Sequence, residues 1–174
     1  EDVLTLRDAL DGLGITMLVN DSARVSVDGA EIAIAGSDAF AFGRDNVADA
    51  LAGTEDADLV ILLAHTPDLL DDPAAEGADL LLCGHTHGGQ FQLPGIGSPW
   101  APVWRGRRRA SGLLSANGQL AHVSRGVASA TRARFRCRPE VAVLTLERGE
   151  ETEASEVPVR RENSNHRTPE EAVR

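Results

Sequence analysis

Two short apolar runs, each followed by a histidine, constrain the fold more than any other feature of the chain. The runs cover residues 57–64 and 78–83, and runs of this length are typical of buried strands. Between them, Thr66 and Pro67 suit the start of a helix and Gly77 its end. Strand, helix and strand in this order predict two parallel strands that are neighbours in one sheet.

A glycine-flanked loop follows the second run and carries two of the candidate site residues. Its sequence is Gly-His-Thr-His-Gly-Gly-Gln over 84–90, and His65 directly follows the first run. Since parallel strands end at the same edge of a sheet, we expect His65 to approach His85 and His87 there. In extended backbone the two loop histidines point to the same side and Thr86 points away. Neutral imidazole is a common ligand of divalent metals, so the pattern predicts a metal site.

Other roles for these residues stay open. The histidines could be hydrogen-bonded loop residues without a metal. A structural zinc site of Cys83, His85 and His87 is disfavoured because no second Cys or His pair has finger spacing. The carboxylates of Asp38 and Asp68 are better explained as turn and helix-capping groups than as ligands.

The remaining apolar patterns predict an α/β fold, a mixed sheet with helices on one side. Further elements are expected as helices over 1–12 and 45–51, strands over 15–19 and 135–146, and hairpins at Asp28-Gly29 and Asn117-Gly118. We expect residues 1–148 to form one domain and 149–174 a disordered charged tail. His166 in that tail is not a ligand candidate.

Several of these motifs together resemble a known family. Leu-Leu-Ala-His-Thr-Pro-Asp, ending at Asp68, and the loop at 84–90 resemble the carboxyl-terminal half of calcineurin-like metallophosphoesterases. More narrowly, they are similar to the bacterial and archaeal branch that carries Gly-His-Thr-His-Gly-Gly-Gln. The segments His122–Ala128 and Arg134–Leu146 are similar to that branch's closing strands. The resemblance runs from about Leu10 to Leu146 and implies the second half of an αββα sandwich.

The resemblance implies a metal-dependent phosphoester hydrolase, either a phosphatase or a phosphodiesterase. In that family two divalent ions (Mn, Fe or Zn) share a bridging Asp and activate a hydroxide that attacks phosphorus. By resemblance, His65 and His85 would ligate one ion and His87 the other. The substrate class implied is a phosphoester.

The family's amino-terminal motifs, Asp-x-His, Gly-Asp-x-x-Asp and Gly-Asn-His-Asp, do not occur among these residues. We therefore expect that they lie upstream of Glu1, together with the bridging Asp and the family's catalytic His, so no catalytic residue is assigned here. Without carboxylates, the three histidines should hold one ion at most, and loosely. The alternative is a non-catalytic metal-binding or interaction module.

Charge and composition argue against some classes of binding partner. The formal net charge of −10 argues against a general nucleic-acid binder, because phosphate backbones require basic residues. No run reaches the roughly 18 apolar residues of a membrane-spanning helix, and no signal peptide is visible. The location in the cell stays open, either cytoplasmic or peripheral to a membrane.

The long irregular segment 90–109 suggests one more partner. Its Trp100–Arg109 part contains two Trp and four Arg residues. Such a loop could contact anionic lipid headgroups or attract a phosphate ester. A solvated basic run that balances an acidic protein explains it equally well.

Overall fold

The computed structural model describes residues 3–38, 43–103, 109–116, 118–128, 133–147 and 149. The backbone divides into two compact units, Glu1–Val143 and Leu144–Arg174. All helices and strands given below belong to the first unit. The domain boundary predicted at 148–149 stays a prediction, and residues 150–174 of the predicted disordered tail, with His166, lie outside the described residues.

A mixed sheet, six-stranded in the described part of the chain, forms the first unit's centre. Its order is β1-β2-β3-β4-β6-β5, with parallel pairing from β2 to β6 and an antiparallel hairpin at each edge. The predicted α/β fold with a mixed sheet is confirmed. The strands are β1 Asp21–Val27, β2 Ala30–Gly36, β3 Leu59–Leu63, β4 Leu80–Cys83, β5 Gly112–Ala116 and β6 Gln119–Val123.

The helices are short. Two are α-helices, α1 Val3–Asp11 and α2 Val47–Leu51, and three are 3-10 helices, Pro67–Asp71, Pro73–Gly77 and His87–Gly89. None of the helices in the described ranges is long and apolar enough to cross a membrane.

The segment between β3 and β4 is two 3-10 helices, which corrects the prediction of one continuous helix. Pro73 lacks an N–H and disfavours helical backbone in the residue before it. Accordingly, Asp72 has extended backbone (φ −84°, ψ 119°) and caps the second helix. The predicted cap at Thr66 is confirmed, because its side chain accepts a 3.2 Å hydrogen bond from the Asp68 N–H.

The sheet has one covered face, as predicted. The side chains of Ala33, Val60, Leu62 and Val123 on that face are buried, and they form one cluster with residues of α2 and the two connecting 3-10 helices. On the opposite face, alternate residues of the same strands are only partly buried, and Leu63 is 40% exposed. The second face is therefore apolar and incompletely covered.

Two predicted strands are absent from the described residues. Residues 15–18 are not assigned to a strand; instead Leu18 packs against Gly36 of β2, where an added Cβ would lie 2.7 Å from the Leu18 Cβ. The predicted last strand is reduced to one bridge between Phe135 and Phe91. Residues 136–147 are irregular.

The predicted hairpins are confirmed. Asp28 and Gly29 join β1 and β2 with positive φ angles of 50° and 79°, as two-residue hairpin turns require. β5 and β6 form the second hairpin, of whose turn Asn117 lies outside the described residues. The predicted helix over 45–51 is shorter at its start, because Asn46 is the N-cap and accepts from the Asp49 N–H.

Candidate metal centre

The candidate site lies where β3 and β4 end at the carboxyl edge of the sheet. The Ala64 N–H donates to the Leu82 carbonyl at 3.0 Å and the Gly84 N–H to the His65 carbonyl at 3.3 Å. These bonds continue the pairing of the two strands past their ends. As a result the imidazoles of His65 and His85 meet, with ring centroids 4.5 Å apart and ring planes inclined by 56°.

The third predicted residue, His87, shares a pocket with His85. The pocket has a volume of about 390 Å³, and Gly84, Ser124 and Arg125 also line it. Within the described ranges, no group of three or more His, Cys, Asp or Glu side chains is placed to hold a metal ion. The structure thus pairs His65 with His85 and places His87 beside them. The ligand role of all three stays a prediction.

The backbone at the two loop histidines is left-handed and not extended, so the extended His-Thr-His geometry that the sequence analysis assumed is wrong. His85, His87 and Gln90 have positive φ angles of 66°, 50° and 58°, and Gly88 and Gly89 do as well. Left-handed backbone is uncommon outside glycine and costs of the order of 1 kcal/mol or more per residue. The loop therefore curls back on itself through left-handed turns, and its two histidines are placed by those turns.

Thr86 anchors the curled loop. Its hydroxyl donates to the Ala110 carbonyl at 2.6 Å and accepts from the Gly88 N–H at 3.2 Å. The residue is 2% exposed, so both hydrogen bonds form in a largely dry environment. The side chain that lies between the histidines in sequence therefore points into the protein and fixes the loop.

The two glycines after His87 are required by space as well as by backbone angle. A Cβ at Gly88 would lie 2.6 Å from the Cys137 Sγ, and one at Gly89 would collide with the Ser98 side chain. Both residues are buried. The loop can pack this closely only because these positions have no side chain.

His65 is suited to act as a neutral ligand. Partial desolvation of the ring is the main cause that lowers its pKa, and the proximity of His85 and then of His87 lowers it further, although the residue as a whole is exposed to solvent. A lowered pKa keeps the imidazole neutral, with a lone pair free, at neutral pH. This donor chemistry fits a borderline divalent ion such as Zn²⁺.

Cys83 does not support a structural zinc site. Burial raises the pKa of its thiol to about 12, and the nearby charge of Asp68 adds to this. The thiol lies 3.7 Å from the His122 carbonyl as a donor. Zinc requires a thiolate, and no three-residue group that includes Cys83 is placed for an ion in the described part of the chain.

Some residues at the site were not found by sequence reasoning. Arg134 and Cys137, which are 47 and 50 residues away in sequence, contact the carbonyl oxygen of His87. The carbonyl oxygen of Ala128 forms a hydrogen bond with the imidazole ring of His87. Arg125 lines the pocket, and its side chain covers Gly88. Local spacing holds no signal for contacts between such distant segments.

Comparison with known proteins bears on the chemistry of this site. The chain is 35% identical over 140 residues to a phosphodiesterase of Escherichia coli, YaeI, covering 80% of this chain and 50% of that protein. It is 35% identical over 136 residues to the uncharacterized metallophosphoesterase YkuE of Bacillus subtilis, covering 76% and 47%. The names of these relatives support the resemblance of this chain to the calcineurin-like metallophosphoesterase superfamily.

The chain spans about half the length of these curated metallophosphoesterase relatives. No family model matches the chain, and no solved structure matches it significantly. Relatives named metallophosphoesterase imply dependence on a divalent metal, and the adjacent imidazoles of His65 and His85 are compatible with such an ion. The narrower branch and the assignment to the carboxyl-terminal half stay predictions.

Proposed function

We propose that this chain is part of a metal-dependent phosphoester hydrolase, a phosphatase or phosphodiesterase. His65 and His85 would ligate one divalent ion and His87 a second, with Mn, Fe or Zn as the metals. The observation that carries the proposal is the contact of the His65 and His85 rings at the carboxyl edge of two parallel strands, in a chain with metallophosphoesterase relatives.

The residues of the chain would position these ligands and shape the pocket. Two divalent ions, when bound, polarise the phosphoester and lower the pKa of water that attacks phosphorus. The buried Thr86 and the two glycines after His87 hold the loop rigid, which favours a fixed ligand geometry. The side chain of Arg125 lines the same pocket and would favour an anionic substrate there.

The non-catalytic alternative makes different predictions. A metal-binding or interaction module would bind one ion or none and would hydrolyse no ester, whatever residues precede Glu1. A hydrolase should turn over p-nitrophenyl phosphate or its bis-ester when the chain is joined to the residues that its gene encodes upstream. In that protein His85→Ala is expected to abolish turnover and leave the circular dichroism spectrum unchanged. Retained turnover would remove His85 from the site.

A second proposal concerns peripheral membrane contact through the Trp100–Arg109 loop. Trp100 is 66% exposed and Ile96, just before it, is 60% exposed. Exposed aromatic and aliphatic side chains of this kind suit a membrane interface. Arg109 is committed elsewhere, because it forms a two-bond ion pair with Asp71 at 2.9 and 3.0 Å. The other three arginines of the loop lie outside the described residues, and the proposal assigns the attraction to anionic lipid to their charge.

A further inference from the structure

The ring of His87 is tied to a backbone carbonyl. Its Nδ1 lies 2.7 Å from the carbonyl oxygen of Ala128. A carbonyl oxygen only accepts hydrogen bonds, so Nδ1 must carry the proton. In the neutral ring the lone pair is then on Nε2, for which the described residues provide no hydrogen-bond partner. The hydrogen bond therefore decides which nitrogen of His87 is available to a ligand.

A single guanidinium group holds that carbonyl in place. Arg134 donates from Nη2 to the carbonyls of Ala128 at 2.6 Å, Arg125 at 2.9 Å and Gly126 at 3.4 Å. Residues 124–128 form no strand, so their carbonyls need partners from elsewhere. The guanidinium is always charged and has several donors in a rigid plane, which suits it to gather several carbonyls at once.

The same guanidinium also binds the backbone of His87 itself. Arg134 Nη1 lies 3.4 Å from the His87 carbonyl oxygen, and the Cys137 thiol donates to that oxygen at 3.3 Å. His87 has left-handed backbone with φ 50°, which persists only where surrounding contacts hold it. Arg134 thus links the backbone of His87 to the carbonyl that its own ring binds.

We propose that Arg134 is a positioning residue that fixes the tautomer and orientation of His87, keeping the Nε2 lone pair available on the pocket side. The role in metal binding rests on the function proposed above, but the tautomer itself does not. Apart from the ring of His87 itself, Arg134 supplies the one side chain in the described part of the chain that bonds to both the His87 backbone and the 125–128 carbonyls, so its loss should loosen the position of the Ala128 carbonyl relative to the His87 ring.

The test is ¹⁵N NMR of the histidine rings of the 174-residue chain at pH 8, without metal. The His87 signals are assigned by their loss in His87→Ala. We expect His87 to be mainly the Nδ1–H tautomer, and Arg134→Gln to make Nε2–H its major form. Arg134→Lys, which keeps the charge but not the planar fork, should give an intermediate ratio. Arg138→Gln, an exposed arginine four residues away, is the matched control and should leave the ratio unchanged.

Two results would overturn the proposal. One is a wild-type His87 that is mainly Nε2–H, a result that needs no variant to fold. The other is a folded Arg134→Gln or Arg134→Lys protein with an unaltered His87 ratio. A titration with Zn²⁺, followed by calorimetry, tests the proposed metal site separately. If the chain does not bind Zn²⁺ but His87 is the Nδ1–H tautomer and responds to Arg134→Gln as expected, then Arg134 positions a histidine that is not a metal ligand.

Discussion

The rings of His65 and His85 are in contact although 20 positions separate them in the sequence, with centroids 4.5 Å apart. Parallel pairing of β3 with β4 brings both strand ends to one edge, and the bond from the Gly84 N–H to the His65 carbonyl keeps them together. The nearby His85 imidazole is one cause of the lowered pKa of His65. This contact is the geometry on which the proposed metal site depends.

Stability should fall in acid because of His65. Its pKa is lowered in the folded chain, mainly by burial and further by His85 and His87, so the unfolded chain takes up the proton first as pH falls through about 6.5. The free energy of unfolding, measured in urea with a chelator present, should decrease from pH 8 towards the lowered folded pKa. In His65→Gln the free energy of unfolding should decrease less over the same pH range. An identical pH profile for both proteins would contradict it.

Gly36→Ala should destabilise the chain. The new Cβ would lie 2.7 Å from the Leu18 Cβ and 2.8 Å from the Leu18 carbonyl oxygen. Because the Leu18 contacts include backbone atoms, a simple side-chain rotation cannot relieve the overlap. We expect a loss of about 1–3 kcal/mol in urea unfolding. Gly77→Ala is the control, because its Cβ would meet only Leu51 Cδ1 at 3.6 Å, and its effect should stay within about 0.5 kcal/mol. Equal effects would show that Leu18 does not pack on Gly36.

Both thiols should be unreactive in the folded chain. Cys83 has a pKa raised to about 12 by burial and by Asp68, so at pH 8 only about one thiol in ten thousand is ionised. Cys137 is 1% exposed. With a disulfide reagent, no thiol of the folded chain should react rapidly in buffer, and both thiols should react rapidly in urea. One fast equivalent under native conditions, removed by Cys83→Ser, would place Cys83 at the surface.

Membrane binding should depend on the three loop arginines that lie outside the described residues. Sedimentation with anionic vesicles should weaken by about 1 kcal/mol for each of these arginines replaced by Gln, and Trp100→Ala should weaken it further. Arg109→Gln should act mainly on stability, because Arg109 pairs with Asp71. Unchanged sedimentation would end the membrane proposal. The arginines to replace are Arg105, Arg107 and Arg108.

The sequence predicted the features that depend on neighbouring residues. The apolar runs before His65 and Gly84, the Thr66 cap and the Asp28-Gly29 turn are all local signals, and the structure confirms them. The meeting of His65 and His85 followed from parallel pairing alone.

The features that depend on distant contacts could not be predicted. Residues 15–19 have a strand-like composition, but because Gly36 has no side chain, Leu18 packs directly on its backbone. The curled backbone of His85 and His87 depends on Thr86 bonding to Ala110, 24 residues away. The contact of Arg134 with His87 spans 47 residues. None of these partners leaves a periodic or spaced pattern in the chain.

Calorimetric titration of the chain with Zn²⁺ at pH 7.5 tests the central claim most directly. We predict one site, lost in both His65→Ala and His85→Ala and retained in His122→Asn, a half-buried histidine of β6 that does not line the pocket. Binding of the same stoichiometry and affinity in all four proteins, or no binding in the folded wild-type chain, would contradict the claim that His65 and His85 ligate a divalent ion.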